Sequence, residues 1–155
     1  MADRYSAATL TSAAPALDTP FFEFRNGASV VAKIHELIVT LGAATATNVE
    51  LHRATAQGTG GSNAPTLGAA NKENPNIANS GLTGVFSNAF TAAPTFTAAS
   101  RLRRQALPAA IGAGLHWVFP EGLDVPRSTS VILVTPVIAG AAQIFTTVVW
   151  SEIQA

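Results

Sequence analysis

The side chains here that can grip a partner, take a proton or hold a metal are arginine, histidine and carboxylate. Their densest cluster is SRLRRQALP, residues 100–108, which packs three of the chain's nine basic residues into four positions. On a strand, side chains alternate between faces, so Arg101 and Arg103 are expected together, about 7 Å apart, with Arg104 and Leu102 on the other side. Two guanidinium forks at that spacing can hold a partner's carboxylates bidentately or contact phosphates. The same residues also read as solvated charge guarding an edge strand against aggregation. Nucleic acid fits poorly, because basic and acidic residues balance at nine each and such binders need a basic face, often with aromatic stacking platforms. Arg53 and Arg4 complete the set of expected partner contacts.

Other chemistry finds little support. Nucleophilic catalysis needs a nucleophile beside a base held by a third group, and no G-x-S-x-G elbow occurs. His35, His52 and His116 each stand alone on an expected strand, where an outward or hydrogen-bonded histidine is the plainer reading than a metal ligand. The GTGG stretch at 58–61 lacks the lysine of a phosphate loop. Glu23, Glu36, Glu50 and Glu121 can supply paired carboxylates, yet read more simply as solvated or ion-paired groups. The expectation is a chain with no catalytic residues, no cofactor and no metal.

The composition asks for partners. Charged residues make up 12% of the chain against 48% hydrophobic, about half the usual charged share of about 25%. With zero net charge, repulsion does little to keep copies apart, so much of the surface is expected to be covered in an assembly. Cysteine is absent, which removes disulfides, thiolate chemistry and cysteine zinc sites. The opening MADRYSAATLTSAAP lacks the apolar run of about 7 to 15 residues that a secretory signal carries. No segment nears the roughly 18 apolar residues of a membrane helix. Synthesis in a cytoplasm, with no membrane partner, is therefore expected.

The elements that must position these groups are strands. Residues 1–19, rich in Ala, Ser and Thr, are expected as an N-terminal arm, and residues 20–155 as one β-sandwich domain. PFFEFRNG opens a strand ending at the Asn26-Gly27 turn signal, giving a first hairpin near 20–41. VVAKIHELIVTLG (30–42) also fits one helix face through Val30, Ile34, Leu37 and Leu41; its β-branched content favours a strand with a face switch at a bulge near Glu36. NVELHRAT alternates as a half-buried strand, and residues 57–81, full of Gly, Asn, Pro and Ser, form one long loop. LHWVFP puts Leu115, Trp117 and Phe119 on one face before a Pro120–Gly122 turn. VILVTPVI reads as a strand covered on both sides, and QIFTTVVWSEI closes the chain. The expected core anchors are Trp117, Phe119, Val131, Leu133 and Trp150. Several short strands and no convincing amphipathic helix make this an all-β, antiparallel sandwich or barrel.

SRLRRQALPAAIGAGLHWVFPEGLDVPRSTSVILV (100–134) resembles the jelly-roll decoration, or cement, proteins of tailed bacteriophages. The likeness runs through Leu102-Arg103-Arg104, Leu107-Pro108, the Gly112 and Gly114 turn, Trp117, Pro120 to Gly122 and Val131 to Val134. AKIHELIVTLGAATATNVEL (32–51) matches a second piece. The resemblance implies a jelly-roll-like sandwich on the exterior of the virion capsid, bridging major capsid proteins and self-associating as a homotrimer or other homo-oligomer. The rival expectation is a carbohydrate-binding or adhesion module. Sugar sites usually expose Trp or Tyr, and here Trp117 and Trp150 fall in strongly apolar runs.

Overall fold

The computed structural model describes residues 4–11, 15–62, 72–73, 80, 82, 84–136 and 143–154. Ten strands form two antiparallel sheets: β1 (Arg4–Leu10), β2 (Pro20–Arg25), β3 (Val30–Leu41), β4 (Thr47–Arg53), β5 (Thr59–Ser62), β6 (Gly84–Ala92), β7 (Arg101–Leu107), β8 (Gly114–Val125), β9 (Ser130–Val134) and β10 (Ile144–Gln154). The four-stranded sheet runs β1-β10-β3-β8 and the six-stranded sheet β5-β6-β2-β9-β4-β7. With β5 and β6 set aside, consecutive strands change sheet at every connection except β4 to β7. Eight strands wound that way are a jelly roll, and β5 and β6 widen its larger sheet beside β2.

Alternation explains the core. Tyr5, Ala32, Ile34, Leu37, Trp117 and Trp150 face inward from the smaller sheet, and Phe22, Phe24, Leu51, Val131 and Leu133 from the larger. Trp150 stacks on Tyr5 at 5.6 Å and receives the edge of Phe24 at 5.5 Å, so one ring joins both sheets. Each such side chain contributes about 1.5 to 3 kcal/mol on burial. Strand β9 is buried along its whole length, as its unbroken apolar run predicts, but its residues serve two faces. Val131 and Leu133 enter the core, while Ile132 lies on the outer face between Glu23 of β2 and His52 of β4.

Four expectations are corrected. Residues 4–10 are not an arm: β1 pairs along its length with β10, and Tyr5 and Ala7 are buried, so small side chains here serve close sheet packing. Segment 20–41 is not a hairpin. Asn26 is fully buried, and its side-chain amide donates to the Val30 and Val125 carbonyls at 2.8 Å each, steering the chain from one sheet to the other. The Pro120–Gly122 turn is a bulge inside β8: Ile34 pairs with Leu123 and Glu36 with Val118, so four residues of β8 stand against His35 alone. Gly122 supports the detour with φ +77°. The 57–81 stretch contributes strand β5, and most of the remainder lies outside the described residues. By contrast, the face switch near Glu36 is present, with His35 the extra residue against β10.

Candidate contact surfaces

The outer face of the larger sheet carries paired charges under a cover. Two residues apart on one strand face, Glu23 and Arg25 form a buried ion pair, and the backbone N–H of Gly58 donates to Glu23 at 3.1 Å. The same i, i+2 arrangement on β4 puts Glu50 Oε2 2.8 Å from His52 Nε2. Chain segment 96–100 lies against the second pair: Phe96 packs its ring 4.8 Å from His52, and the Thr97 carbonyl sits 3.3 Å from His52 Nδ1. Burial works to raise the Glu50 pKa, but hydrogen bonds from His52 and Arg101 outweigh it and hold the carboxyl below its ordinary value.

The arginines divide differently from a simple alternation. Leu51 pairs with Arg103 and His52 with Arg101, so Leu102 is one extra residue in β7 and the face order flips across it. Arg101 and Arg104 therefore share the outer face, at 2.9 and 3.4 Å from the Glu50 carboxylate. Arg103 turns toward the sandwich edge, its guanidinium 4.2 Å over the Phe119 ring and 3.5 Å from the Val118 carbonyl. Arg53 donates to the Asp124 carbonyl at 2.8 Å. Arg4 starts β1, exposed. All five anchors expected in the core, Trp117, Phe119, Trp150, Val131 and Leu133, lie in it. The Glu50 cluster was readable in part: the i, i+2 charges of β2 and β4 are visible in the sequence, but the segment that buries them is remote in it.

The smaller sheet shows a different outer face, and sequence reasoning missed it. Its cross-strand rows, read from β1 through β10 and β3 to β8, are Leu10, Phe145, Thr40, Gly114; then Ala8, Thr147, Ile38, His116; then Ser6, Val149, Glu36, Val118; then Arg4, Ser151, Lys33, Asp124. Phe145 is 47% exposed and Val118 48%. His116 Nε2 lies 2.9 Å from Glu36, and Lys33 lies 3.5 Å from Asp124. His35 covers Ser151, with Nε2 2.8 Å from its hydroxyl; burial first, then the charges of Arg4 and Lys33, push this imidazole below the usual histidine value. Alternating Thr and Val in QIFTTVVW carries the signal, since one face of β10 fills the core and the other is nearly as apolar.

Other site types are sparse. A shallow groove between Asp18–Pro20 and Ala93–Phe96 has Asp18 as its one ionisable lining group. Among the described residues, no group of three or more histidines and carboxylates is placed to hold a metal, and no helix is long and apolar enough to cross a membrane.

No family model matches the chain, and no curated protein matches it. A solved structure titled "Structure of deformed wing virus carrying the GFP gene" aligns with 97% of this chain and 75% of that chain, at 10% identity and a TM-score of 0.29. The jelly-roll assignment rests on the strand connectivity.

Proposed function

We propose that the chain is a virion structural protein that binds the outside of a phage capsid and stabilises the lattice by bridging major capsid proteins. The observation that carries this reading is the jelly-roll winding, an architecture shared by viral capsid proteins and lectins, combined with the exposed apolar side chains of Phe145 and Val118 on the outer face of the smaller sheet. Between the two uses of that fold, the tryptophans favour the first. Trp150 is fully buried and Trp117 is 7% exposed, so neither offers a platform for stacking sugar rings.

Such a protein needs no reaction. By binding the assembled lattice and not free subunits, it stabilises the assembled state by RT ln(1 + [L]/Kd) per site. Two of the four sheet edges suit contact through faces better than added strands: β7 carries three arginines and a bulge, and β8 carries Pro120 and a bulge. The test is equilibrium co-sedimentation with purified phage capsids, run beside a glycan-array screen. Saturable capsid binding supports the reading; glycan binding without capsid binding moves the chain to the adhesion class.

A further inference from the structure

We propose that two copies of this chain pack face to face through the outer side of the smaller sheet, about a two-fold axis that runs along the strands between β10 and β3. The proposal adds self-association to the function proposed above and does not rest on the capsid. Of six exposed large hydrophobic residues among the described ones, Val118, Phe145 and Ile153 lie on this face, so the uncovered apolar surface concentrates there.

The rows decide the occupant. A two-fold axis along the strands keeps each row opposite the same row of the second copy but reverses its order, so that β1 faces β8 and β10 faces β3. Arg4 then stands opposite Asp124 of the other copy, and Asp124 opposite Arg4, giving two ion pairs at one rim. Sizes match as well: Ala8 meets His116, and Phe145 meets Thr40. The alternative axis, across the strands, sets the Arg4 and Asp124 row against Leu10 and Gly114, leaving charges opposite apolar or absent side chains. The first arrangement pairs opposite charges at its rim, with Glu36 opposite Val149 and Lys33 opposite Ser151 inside it, and it needs no third molecule. Its consequence is an even-numbered assembly, one of the homo-oligomers that the resemblance allows beside a homotrimer.

Ala8 and His116 lie three strand spacings apart within one chain, about 14 Å, too far for a disulfide. The chain has no cysteine of its own. Facing sheets stand about 10 Å apart, also beyond disulfide reach, so a short bis-maleimide applied to an Ala8→Cys, His116→Cys double variant is expected to give covalent dimers on a denaturing gel, while each single variant stays monomeric. Charge reversal gives a second readout by analytical ultracentrifugation. Arg4→Asp and Asp124→Arg are each expected to weaken dimerisation about tenfold or more by opposing like charges. An equimolar mixture of the two restores it, because both ion pairs re-form in the mixed dimer. A double-cysteine variant that stays monomeric, or a mixture no tighter than either variant alone, overturns the proposal. A chain that is monomeric yet coats capsids loses this inference and keeps the proposed function; a dimer that ignores capsids does the reverse.

Discussion

Arg101 lies 2.9 Å from the Glu50 carboxylate, a pairing that depends on the one-residue bulge at Leu102 in β7. Its partner carboxylate is buried and also held by His52 and Arg104. The arginine segment is thus built into the sheet before it can meet any partner.

Glu50→Gln removes the buried carboxylate held by Arg101, Arg104 and His52, and is expected to cost about 2 kcal/mol at neutral pH, less than a wholly buried pair because Arg101 and Arg104 remain partly in water. The folded-state pKa of Glu50 lies below the ordinary 4.5. Its contribution is therefore complete above that value and disappears as the pH falls through the lower folded-state one. Urea unfolding of parent and variant should show a gap at neutral pH that narrows at about pH 3; a gap independent of pH contradicts the assignment.

Tyr5→Ala removes one ring from the stack on Trp150 and is expected to cost about 3 kcal/mol, in the range for emptying an aromatic site in a core. Deleting residues 1–11 takes β1 from the sheet and should lower the melting temperature sharply in circular dichroism. An unchanged melting temperature would return this segment to the status of a dispensable arm.

Two glycines separate backbone strain from crowding. Gly112 has φ +79° with open space around a would-be Cβ, so Gly112→Ala is expected to cost about 1 kcal/mol from conformation alone. Gly122 has φ +77° and would place its Cβ 3.0 Å from that of Lys33, so Gly122→Ala should cost more. Equal losses on thermal unfolding would remove the crowding argument.

Arg103→Ala removes the guanidinium over Phe119, an expected loss of about 0.5 to 1 kcal/mol. Arg101→Ala and Arg104→Ala together strip a buried carboxylate of one charge-assisted hydrogen bond and a second ion pair, an expected loss of about 1.5 to 3 kcal/mol. Chemical denaturation ranks them, and the reverse order would contradict the faces assigned to β7.

Strand content was legible because the apolar runs of β3, β8, β9 and β10 are long and β-branched, and the core anchors follow from alternation within them. Sheet membership was not, because it depends on contacts distant in sequence: nothing in PFFEFRNG says that Asn26 will bond carbonyls at Val30 and Val125. Single-residue bulges at His35 against β10 and at Leu102 against β4 matter for the same reason, since one added residue exchanges the faces of everything beyond it. That is why Arg104, and not Arg103, shares a face with Arg101. The short, small-residue β1 carries too little hydrophobic pattern to stand out from an arm, and is ordered by its pairing with β10.

The claim that the chain is a capsid-binding structural protein is tested most directly by sedimenting it with emptied phage capsids. The account predicts saturation at a fixed number of copies per lattice site and a higher temperature of capsid disruption in the saturated particle. A chain that stays in the supernatant at concentrations where it is folded, and leaves the disruption temperature unchanged, contradicts it.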